Sequence, residues 1–297
     1  MIRGIKKTII TVLKKSCFLR RVLSPFSQMY LRIRGAPSLG TMKNYSDTVI
    51  GGVIVIAPRN IPGRFRIDAR SDLAMRVVFY GVYEPDVTEA LSRLCCGPGL
   101  FVNIGANVGF FAIFAAKVLG FREVIAIEPN PAAFELLARN IEDNDLSQVI
   151  NAHCKCIAQS RSEVEFAFVD GKPEYSSIGG IVHSGLMQGP VKLTKIDAVP
   201  LADVIGRQRV SLLFVDAEGS EETIFLGAEG ILKRDRPILF FECVDPLLRK
   251  FGSNSRVLEE RLISMGYAVR NGLNPSRRLV HPFTGEAVAH PAANLAP

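Results

Sequence analysis

The chain has 297 residues, 48% of them apolar, enough to bury a sizeable core in one large α/β domain with an extension; this excludes global disorder. Its formal charge of +7 is unevenly spread: residues 1–46 hold ten Lys or Arg and no acid, so the rest carries 26 bases against 29 acids. A basic arm on a mildly acidic body excludes a uniformly basic nucleic-acid binder, and no nucleic-acid partner is expected.

Six cysteines stand at 17, 95, 96, 154, 156 and 243 with no CxxC pair, so zinc and thioredoxin-like sites fail on spacing and no metal site is assigned. Cys154 and Cys156 read as small buried hydrophobes. There is no secretory signal with a cleavage site and no apolar run long enough to span a bilayer, so a reducing, cytoplasmic setting fits.

Residues 1–34 read as a basic amphipathic helix or pair of helices. Ile2, Ile5, Ile9 and Val12 recur at helical spacing, with Lys7, Lys14 and Arg21 on a separate stripe. Such a segment suits peripheral contact with an anionic membrane; the alternative is a solvated helix packed on its own domain or frayed. Gly35, Pro37 and Gly40 mark a linker, which gives an arm over 1–45 and a main domain over 46–297. Within that domain, 46–84 forms a lead-in and 85–297 the core.

From Asp47 to Val82, β-branched runs alternate with turn signals, which predicts a few antiparallel strands leading into the main sheet. Pro85 to Leu94 predicts a helix, with Val87, Ala90, Leu91 and Leu94 on one face. Leu100-Phe101-Val102 is a short apolar run ending in Asn103. The loop Gly105-Ala106-Asn107-Val108-Gly109 follows, then a helix-length segment, then Val124–Ile127 closed by Glu128. Strand, glycine loop, helix, strand, acid is the order of a nucleotide-binding βαβ unit, and the interval from Gly105 to Glu128 matches the distance from loop to ribose-binding acid. Glycines let backbone approach a ligand closely, and a carboxylate accepts both hydrogen bonds of a ribose diol.

Beyond Pro129-Asn130-Pro131 comes a helix with Phe134, Leu137, Ala138 and Ile141 on one face. Strands are expected near Val149–Ile157 and Glu163–Val169, a long loop over 170–190, and a strand at Val191–Ile196. The apolar runs Leu212–Val215 and Ile238–Phe241 end in Asp216 and Glu242. A helix burying Ile224, Ala228 and Ile231 lies between them, and another near Ser255–Met265 follows. Strands alternating with helices predict a mostly parallel sheet covered on both faces, whose carboxyl ends bring Asn103, Glu128, Asp216 and Glu242 to one crevice.

The loop lacks the GxGxxG of dinucleotide enzymes and the lysine of a P-loop. Taken with VYEPDVTEAL, FVNIGANVGF, AIEPNP, VDAEGSEETIFLGA and PILFFE in that order, the stretch from about 80 to 296 resembles FkbM-type, S-adenosylmethionine-dependent methyltransferases. The resemblance implies a Rossmann-like class I sheet, mostly parallel, with an antiparallel last strand; the C-terminal HPAANLAP resembles that closing strand. It implies S-adenosyl-L-methionine as cofactor. Gly105, Asn107 and Gly109 would shape the bed for its methionine part, and Glu128, with Asn130 beside it, would hold the ribose. Cys156 and Ile157 would lie near the adenine, and Glu84 near the methyl group. Asn103 stands where the family usually has an Asp beside the cofactor's ammonium.

For chemistry, Asp216 is the first candidate base, with Glu218 and His183 behind it. Glu221 and Glu242 are candidates on the substrate side. Glu221 and Glu222 also open a helix, where negative charge is favoured by the dipole. The leading expectation is an O-methyltransferase acting on a hydroxyl of a sugar, glycan or secondary metabolite, the substrate class coming from the family. The alternatives are an NAD-dependent oxidoreductase on a similar sheet, and a non-catalytic cofactor-binding homologue.

Overall fold

The structure is a computed structural model and describes residues 52–94, 99–178 and 190–292. The basic arm, its linker, Cys17, Cys95, Cys96 and His183 lie outside the described residues.

Seven strands form the main sheet: β3 (Leu100–Ile104), β4 (Glu123–Ile127), β5 (Ile150–His153), β10 (Val210–Val215), β11 (Ile238–Val244), β12 (Tyr267–Asn271) and β13 (Thr284–Pro291). The remaining strands are β1 (Val53–Ile56), β2 (Phe65–Asp68), β6 (Cys156–Ile157), β7 (Ser162–Val169), β8 (Lys172–Ile178) and β9 (Val191–Val199). The main sheet runs in the order β12-β13-β11-β10-β3-β4-β5. From β11 to β5 every pairing is parallel; β13 alone runs antiparallel, between β11 and β12. This is the Rossmann-like sheet with an antiparallel last strand.

The central strands are apolar throughout because both faces are covered. On β3, Phe101 packs on one side with Phe110, Phe111, Phe121 and Phe214. Leu100, Val102 and Ile104 pack on the other with Val215, Phe225, Ile231 and Phe241. The first layer holds the helices Asp72–Tyr80, Pro85–Ser92, Phe110–Lys117 and Pro131–Asp143, the second Glu221–Gly227, Glu229–Asp235 and Ser255–Ser264. Among the described residues no helix is long and apolar enough to cross a membrane.

Four expectations are corrected. The lead-in has two strands, β1 and β2, which pair only with each other. It then continues as helix Asp72–Tyr80, started by Ser71, whose Oγ accepts the Ala74 N–H at 2.9 Å. Helix Pro131–Asp143 holds the lead-in in place. Asn140 Oδ1 accepts the Arg66 N–H at 2.6 Å and its Nδ2 donates to the Arg66 carbonyl at 3.0 Å, while one turn on Asn144 repeats the pattern with Arg64. Two amides thus do for β2 what a neighbouring strand would do.

The expected strand over Val149–Ile157 is split between two sheets. β5 ends the main sheet, and β6 starts a smaller one of order β6-β9-β7-β8. Within the expected loop 170–190, Lys172–Ile178 is the edge strand β8, where Pro173 removes no interior ladder bond; residues 179–189 lie outside the described residues. The closing strand is Thr284–Pro291, ahead of most of HPAANLAP.

Candidate active site

β3 and β4 are adjacent and parallel, so the loops after Ile104 and Ile127 emerge side by side. Gly105 and Ala106 both donate backbone N–H bonds to the Ile127 carbonyl, at 2.9 and 3.0 Å. Gly105 has φ +79°, and a Cβ there would lie 1.7 Å from the Asp216 carbonyl oxygen. Only glycine therefore lets the loop after β3 rest on the loop after β10.

Glu128, 6% exposed, stands at the end of β4. Its Oε2 accepts the Asn107 N–H at 2.7 Å and its Oε1 the Asn130 N–H at 2.8 Å. Burial pushes its pKa up to about 7, against the pull of these two bonds. Each oxygen keeps a further acceptor position, the pair that a vicinal diol requires.

These loops open on a cavity of about 320 Å³. Gly105, Ala106, Asn107 and Glu128 form one part of its wall, Cys156 and Ile157 another, and Glu84, Asp216, Glu218 and Glu242 a third. Three of its residues, Glu84, Asn107 and Glu218, hold left-handed backbone at φ 38°, 50° and 52°. Non-glycine residues in that region store strain that clusters at functional positions.

The carboxylates of the third wall are electrostatically coupled. Burial raises the pKa of Asp216 well above the usual carboxylate range, and the nearby Glu218 and Glu84 raise it further. Burial also raises Glu242, reinforced by Asp216. Glu84 is raised by burial, partly countered by Arg76.

The site residues expected from sequence are thus divided. Glu84, Gly105, Asn107, Glu128, Cys156, Ile157, Asp216, Glu218 and Glu242 share the one cavity. Gly109 does not line it: a Cβ at its φ of +95° would lie 2.7 Å from Leu137 Cδ1, so it lets two helices approach. Asn130 caps helix Pro131–Asp143 through the Ala132 N–H and donates to Ser176 Oγ. Asn103 is fully buried behind the loop, with Oδ1 and Nδ2 unpartnered among the described residues.

Glu221 likewise stands apart from the cavity wall. It is 1% exposed, and its Oε1 accepts the N–H groups of Ala217 and Gly219, each at 3.1 Å. It shapes the loop that presents Asp216 and Glu218, and does not line the cavity. Glu222 pairs with Arg261.

Sequence reasoning missed Asp72, Arg76 and Tyr175, which line the cavity from the lead-in helix and β8. Tyr175 Oη donates to Asp72 Oδ2 at 2.5 Å, and Lys172 Nζ pairs with Asp72 Oδ1 at 2.5 Å. It also missed Glu286, directly opposite Glu242 on β13, whose pKa burial pushes up to about 8.

Sheet order and site together define an α/β protein with a cleft beyond the ends of its parallel strands, the place where ligands bind in such sheets. The profile described as "Methyltransferase FkbM domain" matches residues 103–267, more than half of the chain. The chain belongs to the FkbM methyltransferase family, whose cofactor is S-adenosylmethionine. Among curated proteins it is similar to Methyltransferase 1 of Beauveria bassiana, at 27% identity over 144 residues covering 43% of this chain and 57% of that one. It is also similar to Methyltransferase sdnD of Sordaria araneosa, at 23% identity covering 43% of this chain and 60% of that one. The chain thus spans less than two thirds of the length of either relative. Among solved structures, Methyltransferase FkbM from Methylobacillus flagellatus aligns with a TM-score of 0.43 and 18% identity over 65% of this chain and 43% of that one.

Proposed function

We propose that this chain transfers a methyl group from S-adenosylmethionine to a hydroxyl oxygen of a sugar, glycan or secondary metabolite. One observation carries the reading. The cavity that holds Glu128 and the glycine loop at one part of its wall holds a group of raised-pKa carboxylates at another.

The residues fit the cofactor. Glu128 offers its two remaining acceptor positions to the ribose hydroxyls. Asn107 Oδ1, buried and unpartnered among the described residues, offers an acceptor beside the glycine loop. When bound, the cofactor supplies an electron-poor methyl carbon on a sulfonium. The protein's part is to align the acceptor and take its proton. With the cofactor bound, Asp216 would take the acceptor's hydroxyl proton, with Glu218 and Glu242 beside it. Burial, reinforced by the neighbouring acids, makes Asp216 and Glu242 stronger proton acceptors than exposed carboxylates.

The test is transfer of labelled methyl from S-adenosylmethionine to a panel of glycans and lipid extracts, with Glu128→Gln as control. Label appearing in a base-stable methyl ether, and absent with the variant, supports the reading. Label confined to amines or carboxyl esters overturns the hydroxyl assignment.

A further inference from the structure

Asp216 directly follows the last residue of β10, and Glu242 lies on β11, the neighbouring parallel strand, where Val215 pairs with Phe241. Glu218 follows two residues after Asp216, on the loop that Glu221 braces. One carboxylate oxygen from each of Asp216, Glu218 and Glu242 lies within 4.8 Å of the other two. Oε2 of Glu242 is shielded from solvent and has no hydrogen-bond partner among the described residues. Nor does Asp216 or Glu242 have an ion-pair partner there. A buried anionic acceptor left unpartnered is costly and calls for a filler such as a bound ion.

We propose that Asp216, Glu218 and Glu242 bind one hard divalent cation of the magnesium or manganese kind, and that this ion takes the acceptor hydroxyl as a further ligand. All-oxygen carboxylate donors select such ions over zinc or copper. Neighbouring ligand oxygens on such an ion sit about 3 Å apart, so oxygens up to 4.8 Å apart draw together by about an ångström each to close the site. Three protein oxygens leave open positions for water and an acceptor hydroxyl. With one oxygen of Asp216 on the ion, the second remains for the proton. The acceptor's place on the ion rests on the methyl-transfer reading; the ion site does not.

The experiment is a titration of the full chain with Mn²⁺, followed by electron paramagnetic resonance without methyl donor. The site predicts one ion per chain. Binding should weaken at least tenfold in Asp216→Asn, Glu218→Gln and Glu242→Gln, whichever of these circular dichroism shows to be folded, and stay unchanged in the surface variant Glu229→Gln. A wild-type chain that takes up no Mn²⁺ overturns the proposal, as does uptake that the cluster variants leave unchanged. S-adenosylhomocysteine, titrated in parallel, separates the two readings. Its binding without Mn²⁺ uptake removes the ion and keeps the methyltransferase. Mn²⁺ uptake at the cluster without nucleoside binding keeps the ion and removes the methyltransferase.

Discussion

The backbone N–H of Asn107 donates to Oε2 of Glu128 at 2.7 Å, and that bond joins the loop after β3 to the end of β4. It makes the glycine loop and the candidate ribose acid one rigid unit. The protonation state of Glu128 therefore acts on both.

With its pKa raised to about 7, Glu128 in the folded chain keeps a proton that the unfolded chain loses near 4.5. Stability from this group is accordingly highest below pH 4.5, falls by about 3 kcal/mol as pH climbs to 7, and is flat above. Ribose hydroxyls donate to the ionised form, so affinity for S-adenosylhomocysteine should rise between pH 6 and 8 with release of a proton. Calorimetry in buffers of differing ionisation enthalpy checks this. Glu128→Gln should abolish the proton release.

Gly105→Ala would drive a Cβ into the Asp216 carbonyl at a backbone angle that L residues resist. A loss of roughly 3 kcal/mol or more is expected, with nucleoside binding gone even where the chain folds. Gly230→Ala, in helix Glu229–Asp235 with nothing within 4 Å, should gain about 0.5–1 kcal/mol. Urea denaturation compares the two.

Asn103→Asp would place a carboxylate behind the loop in a fully buried site without a partner. The ligand-free chain should lose stability, while the added charge should tighten S-adenosylmethionine binding roughly tenfold by attraction to its ammonium. Melting temperature and calorimetry read the two effects separately. Unchanged affinity would confine Asn103 to packing.

Tyr175→Phe removes the bond from β8 to Asp72. It should cost about 1 kcal/mol, since Lys172 still holds Asp72. With Tyr175 lining the cavity, KM for the acceptor should rise more than kcat falls.

The central strands were legible because burial on both faces writes them as unbroken apolar runs, with polar residues where each reaches the rim. The two smaller sheets were harder to read. Helix Asp72–Tyr80 carries Val77, Val78, Phe79 and Tyr80, residues that favour strands; the Ser71 cap and the buried Leu73, Ala74 and Val77 decide otherwise. β8 is an edge strand, polar and interrupted by Pro173, and looks like a loop. Within the site, spacing brought Glu128 and Asp216 to one rim. It could not show that Glu221 turns back onto its own loop or that Gly109 faces Leu137, because both depend on contacts across the fold. Glu286 was hidden because only the register of β13 sets it against Glu242.

The most direct test of the whole account is isothermal titration of the chain with S-adenosylhomocysteine at pH 8, wild type against Glu128→Gln. The account predicts one nucleoside per chain for the wild type and at least a tenfold loss in a variant that circular dichroism shows to be folded. A wild-type chain that binds none, or a variant that binds as well as the wild type, would contradict it.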